Sequence, residues 1–288
     1  MVNIKDKIFC GLQYLLPQHL LSRLVARLAE AKIPWLTKLL IDLFIRRYQV
    51  DISEARHQDL SSYSSFNEFF TRALRSGVRP IEDDARTVIS PADGTVSQCG
   101  RINEGNLLQA KGHMYRADDL IGDDSLAMQF QSGKFITTYL SPKDYHRVHM
   151  PISGTLIQSI YIPGKLFSVN EVTAMQVSRL FARNERLVCL FETQHGPFIL
   201  VMVGAMMVAG IETVWQDNYP AGKPSEHCHK TSELQFEKGA EIGRFKFGST
   251  VILLLPDQFR LEASLKPGRT IQMGEIVAAL SMDEATAS

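Results

Sequence analysis

The chain has 288 residues, 45% apolar and 22% charged, a balance typical of folded proteins that excludes an intrinsically disordered one. Its 31 basic and 31 acidic side chains cancel, which removes the dominant positive field that nucleic-acid binding requires. Cys10, Cys99, Cys189 and Cys228 are scattered without metal-ligand spacing, and no secretory leader opens the chain, so a reducing, cytoplasm-facing location is expected.

The first fifty residues read as helical. Leu20, Leu21, Leu24, Val25 and Leu28 recur at helical spacing, with Ser22, Arg23, Arg27 and Glu30 on the other side. Pro34 suits the first turn of a second helix, in which Trp35, Leu36, Leu39, Leu40, Ile41, Leu43, Phe44 and Ile45 form a wide apolar arc. Lys38, Asp42 and Arg46 leave only a narrow polar stripe. No run approaches the roughly 18 apolar residues of a spanning helix. The pattern fits two roles: helices that cap the protein's own core, or helices that lie on a membrane surface.

Residues 66–75 (FNEFFTRALR) predict one more short helix, with Ser64 or Ser65 as its cap. After Arg79-Pro80 the character changes, and from about residue 86 short β-like runs alternate with Gly, Pro and Asp. The expected fold is therefore α+β: a helical region over 1–80, then a mostly β body over 81–288. Pro91-Ala92-Asp93-Gly94-Thr95-Val96 is echoed by Pro151-Ile152-Ser153-Gly154-Thr155-Leu156, and Gly268 and Gly274 flank a late short strand. Such punctuation is like the paired hairpin turns of biotinyl and lipoyl β-folds. His227-Cys228-His229 would set its outer residues on the side of a strand opposite to its middle one, without a second ligand cluster, so no metal is expected.

Asp93, His146, His149 and Ser249 together supply the inventory of an Asp-His-Ser relay. Each has an ordinary structural use: Asp-Gly marks turns, histidines three apart share a face only in a helix, and Ser-Thr bonds within turns. Ser249 does not sit in a nucleophile elbow, because Thr-Val-Ile-Leu-Leu-Leu follows it with no second glycine and no helix. The carbonyl of Gly248 lies directly behind its hydroxyl, and glycine allows backbone conformations that a side chain forbids. A serine held there can attack the bond behind it.

FNEFFTRALR, SPADGTV, YLSPKDYHRVHMP, PGKLFSVN, LFARNERL, GIETVW and GRFKFGSTVILL, in that order, resemble the bacterial type of phosphatidylserine decarboxylase. The likeness runs from about residue 60 to residue 280. Where the family usually has Leu before Gly-Ser-Thr, this chain has Phe247, which leaves the bond and the nucleophile intact. The resemblance implies self-cleavage between Gly248 and Ser249. Asp93 would orient His149, and His149 would take the Ser249 proton. The resulting ester would eliminate, and hydrolysis would leave a pyruvoyl group at residue 249. The products would be a β chain of 1–248 and an α chain of 249–288 that stay together.

The resemblance further implies that phosphatidylserine binds through a Schiff base to the pyruvoyl group and leaves as phosphatidylethanolamine, with His146 or His149 returning a proton. No metal is implied. It also implies a homodimer and a peripheral position on the cytoplasmic side of the cell membrane, with Arg23, Arg27, Lys38, Arg46 and Arg47 edging the apolar arc toward anionic lipid. A pyruvoyl enzyme for a soluble amino acid or another aminophospholipid is the nearest rival, and the amphipathic N-terminus speaks against a soluble substrate. A lipoyl-type carrier lacks its hairpin lysine: the turns read Asp-Gly, Ser-Gly and Pro-Gly-Arg.

Overall fold

The computed structural model describes residues 4–110, 112–206, 210–217, 219, 224–228, 234–246 and 249–281. Three helices open the chain: α1 (Ile4–Leu15), α2 (Gln18–Glu30) and α3 (Pro34–Tyr48), the last with Pro34 in its first turn. α2 turns its sequence pattern inside out. Its buried residues are Gln18, Ser22 and Ala29, whereas Leu20, Leu24 and Leu28 face solvent. The cause is a polar dock. The Leu166 amide donates to Gln18 Oε1 and the Ser168 amide to Gln13 Oε1, each at 2.8 Å, so two glutamines satisfy loop amides of the β body. The leucine stripe is not a cap on the core.

α3 does contribute to a core. Ile41 is fully buried, and Phe44 meets Phe66 and Phe70 edge-on, with ring centroids 5.2 and 5.8 Å apart. Those phenylalanines belong to α4 (Phe66–Phe70), which Ser65 caps by accepting from the Glu68 amide. The helix expected over 66–75 therefore stops early. Thr71 ends it, and the next residues pair with an earlier loop: Arg56 N donates to Ala73 O and Arg75 N to Glu54 O. A tertiary ladder overrides the helical pattern there.

The β body is a nine-stranded antiparallel sheet with two three-stranded sheets beside it. Its central members are β1 (Gly94–Arg101), β2 (Lys134–Leu140), β4 (Gly154–Ile162), β5 (Arg186–Thr193), β6 (Gly196–Val203) and β9 (Ser249–Leu255). They run in the order β4-β5-β6-β9-β2-β1. β3 (Arg147–His149), β7 (Ile211–Thr213) and β8 (Glu241–Phe245) make a separate sheet, ordered β7-β8-β3. Cores lie on both faces of the large sheet. Val251, Leu253 and Leu255 pack on one side with Leu140, Val148 and Met150; Ile252 and Leu254 pack on the other.

The two P-x-x-G-T segments do the same job. Gly94 opens β1 and Gly154 opens β4, each against a neighbouring backbone carbonyl. A Cβ on Gly154 would lie 2.6 Å from the Glu192 oxygen, and one on Gly94 would overlap the Tyr139 oxygen. Glycine is required for the close approach.

Candidate active site

Ser249 is the first residue of β9, which lies between β2 and β6. It pairs with Leu140, and its side chain shares the face of Val251 and Leu253. The residue is fully buried, and its Oγ has no hydrogen-bond partner among the described residues. Phe247 and Gly248 lie outside the described residues, as does His229.

Other unpartnered polar atoms gather at this end of β2. Ser141 Oγ follows Leu140 directly, and His146 Nδ1 belongs to a ring whose Nε2 lies 3.1 Å from the Ser141 carbonyl. Among the described residues Arg72 Nε and Nη1 have no hydrogen-bond partner, while its Nη2 donates to Lys143 O at 3.3 Å. Buried polar atoms are almost always paired, so such a cluster marks a place that water or a ligand completes.

A carbonyl oxygen can only accept, so His146 carries its proton on Nε2 and keeps a lone pair on Nδ1. Its ring stacks on Phe70 with centroids 4.1 Å apart. Burial, aided by the nearby Arg72 charge, pushes its pKa down to about 3, so it is neutral at physiological pH.

His149 sits in β3, its Nδ1 2.8 Å from the Gly239 carbonyl and its Nε2 2.9 Å from the Tyr145 hydroxyl. The same reasoning makes Nδ1 the protonated nitrogen and Nε2 the basic one, with Tyr145 donating to it. Burial lowers the His149 pKa below 6.5, against the opposing pull of the Gly239 carbonyl and the Glu241 and Asp93 charges. Burial raises the Tyr145 pKa, keeping the phenol protonated.

Asp93 ends the turn before β1. Its carboxylate accepts from Arg79 Nε at 3.1 Å and Nη2 at 2.5 Å, and from the Met273 amide at 2.8 Å. Arg79 also holds Glu54 with Nη1 and Nη2. Burial pulls the Arg79 pKa down, but the two carboxylates outweigh it and raise it. Among the described residues no hydrogen bond joins Asp93 to His149, or either to Ser249 Oγ; Asp93 reaches His149 through its charge. The structure does bring the turn of Asp93 to the backbone of His149, whose amide donates to Pro91 O at 2.8 Å. A cavity of about 290 Å3 opens beside Asp93, lined by Arg72, Arg79, Lys143, Asp144 and Tyr145.

A family model described as phosphatidylserine decarboxylase matches residues 66–279, and another, described as PSD, matches residues 8–49. A phosphatidylserine decarboxylase proenzyme of Pseudomonas entomophila is 51% identical over 282 residues, covering 96% of this chain and 98% of the relative. The chain belongs to the phosphatidylserine decarboxylase family. Proenzymes of the same description from Stutzerimonas stutzeri and Pseudomonas aeruginosa are each 50% identical, covering 94% and 96% of this chain and 94% and 98% of theirs.

Within this member of the phosphatidylserine decarboxylase family, Arg79 and Tyr145 escaped the sequence reading. Tyr145 lies inside YLSPKDYHRVHMP, four residues before His149, and that spacing was its only signal. Arg79 carried none beyond the change of character at Arg79-Pro80.

Proposed function

We propose that this chain is a phosphatidylserine decarboxylase proenzyme that cuts itself between Gly248 and Ser249, giving chains of residues 1–248 and 249–288. The observation that carries this is the buried Ser249 hydroxyl, without a partner among the described residues and at the head of a doubly paired strand, directly after a glycine in sequence. A hydroxyl left unbonded in a protein interior is unfavourable unless chemistry uses it.

His149 takes the Ser249 proton on Nε2, the nitrogen its tautomer leaves unprotonated, in place of the hydrogen bond that Tyr145 donates to it in this structure. Asp93 favours the charged imidazolium by its field, and Arg79 fixes that carboxylate in place. The residues fit a pyruvoyl group at position 249: the orphaned oxygen is already there, and β2 and β6 hold the strand on both edges. Such a group would supply the electron sink that decarboxylation of a phosphatidylserine headgroup needs. His149 also returns the proton to the product: the charges of Glu241 and Asp93 oppose the burial that lowers its pKa, whereas burial and Arg72 act together on His146.

Residues 1–80 serve as the membrane-associating region. No helix among the described residues is long and apolar enough to cross a bilayer. The outward leucines of α2, Trp35 at 69% exposure and the neighbouring Arg23, Arg27 and Arg47 support a peripheral seat on anionic lipid. The resemblance supports a homodimer, checked by sedimentation of the cleaved protein.

Intact mass spectrometry tests the reading. It should find two polypeptides, the shorter beginning with a residue lighter than serine by one ammonia. Ser249→Ala should give one uncut, inactive chain. An active wild-type protein with an unbroken 248–249 amide would refute it.

A further inference from the structure

Two residues before Gly248, one lysine is held by two elements at once. Lys246 directly follows β8. Its Nζ lies 2.7 Å from Glu212 Oε1 on β7 and 3.0 Å from Glu30 Oε1. Glu30 is the last residue of α2, the helix whose leucines face outward. Only 13% of the lysine side chain is exposed, against 15% for Glu212 and 50% for Glu30. Burial pulls the Lys246 pKa down, but the two carboxylates outweigh it and raise it, so the ammonium stays charged. Glu212 Oε2 also accepts from Arg244 Nε at 2.6 Å, which fixes that carboxylate against β8. Among the described residues, Lys246–Glu30 is the one ion pair that joins α2 to the β body.

The backbone on either side of the cut is fixed as well. Phe245 N donates to His146 O at 3.0 Å, and Lys246 N to Gly210 O at 3.1 Å. Past the cut, Ser249 pairs with Leu140 and Thr250 with Val203. Lys246 and Ser249 are three residues apart, so the chain between them spans at most about 11 Å. So short a tether transmits a shift at Lys246 to the Gly248 carbonyl. Attack on that carbonyl is sensitive to such shifts, because misplacing reacting atoms by about 1 Å can cost about 100-fold in rate.

We propose that Lys246 is a positioning residue for self-cleavage: clamped between β7 and the lipid-facing helix, it sets the segment to be cut and makes the cut depend on how α2 is seated. This rests on the self-cleavage reading above and extends it to the chain ahead of the bond. In the step it serves, Ser249 Oγ bonds to the Gly248 carbonyl carbon and the C–N bond breaks. The proton drawn off the hydroxyl ends on the freed Ser249 amine. Lys246 acts on this step through the backbone. Glu212 is the main anchor, because its pair with the lysine is the shorter and the more buried. Glu30 adds the smaller share that α2 can withdraw.

The test uses the full chain made by cell-free translation. Cleavage is followed on gels, and by intact mass spectrometry with and without hydroxylamine, which cleaves esters but not amides. Lys246→Met keeps the apolar stem and removes the charge, and should slow the cut about 100-fold. Its uncut chain should resist hydroxylamine, because the block precedes the ester. Lys246→Arg should restore most of the rate. Glu30→Gln should slow the cut about threefold to fivefold, the worth of a half-exposed pair, and Glu212→Gln should slow it more. In the Lys246→Met background Glu30→Gln should add nothing.

A wild-type cutting rate in Lys246→Met overturns the inference. So does a hydroxylamine-labile ester that accumulates in that variant, or a Lys246→Arg chain as slow as Lys246→Met. No effect of Glu30→Gln, or an equal effect with and without Lys246, overturns the part given to α2. Should Lys246→Met fail to fold, a wild-type rate in Glu212→Gln overturns the inference. Failure of the underlying reading is distinct: the wild-type chain itself would stay uncut.

Discussion

Replacing Leu20, Leu24 and Leu28 together with serine should detach the protein from vesicles without harming its fold. These residues are 56%, 52% and 47% exposed, so about half of each side chain is left for a membrane to cover. Full burial of a leucine is worth about 1.5–3 kcal/mol, so the exposed half is worth about 1 kcal/mol and the trio about 3 kcal/mol. That corresponds to a partition constant roughly 100-fold smaller. The assay is flotation with vesicles of phosphatidylcholine and phosphatidylglycerol at two salt concentrations, with self-cleavage on a gel as the control for folding. The buried contacts of α2 are made by Gln18, Ser22 and Ala29, which the variant keeps. Unchanged flotation of a well-folded triple variant would refute the assignment of this face to lipid.

Arg79→Met should lower unfolding stability by about 3–5 kcal/mol in urea, since it strips the guanidinium from a buried carboxylate at Asp93 and slows the cut as well. Stability should depend on pH through His146. Its folded pKa of about 3 lies below the 6.5 of a free histidine, so between these values only the unfolded chain binds the proton. This contribution is full above pH 6.5 and falls on acidification by about 1.4 kcal/mol per pH unit. His146→Gln should flatten the slope between pH 6.5 and 5, and an identical slope would show that other groups cause it. Gly94→Ala should cost about 1–3 kcal/mol by forcing a methyl against the Tyr139 carbonyl, measured by urea unfolding, and should slow self-cleavage by displacing the Asp93 turn.

The parts of this protein that were legible in sequence are those encoded locally. Pro34, Ser65 and the paired glycines at 94 and 154 mark element starts by their own backbone and capping chemistry, and each occupies that place in the fold. The α+β order was legible for the same reason: apolar periodicity changes from helical to strand-like along the chain. What α2 does with its leucines was not. Periodicity reports a stripe but not which side meets protein, and here Gln13 and Gln18 decide it by binding two loop amides far along the chain. The helix over 66–75 was overrun because the pairing of 73–75 with 54–56 is not local. At the site, Asp93, His146, His149 and Ser249 were visible as chemistry-bearing residues, but their partners were not. Arg79, Tyr145 and Gly239 reach them through folding alone.

The position of β9 has a practical outcome for anyone handling the processed protein. All seven of its residues are laced to β2 and five of them to β6, and both neighbours stay with the longer fragment. Farther on, Thr270–Ile271 joins β1, and Ile276–Leu280 joins Thr87–Ile89. Dilution or gel filtration in native buffer should therefore recover one particle, and only a denaturant should reveal that it contains two polypeptides.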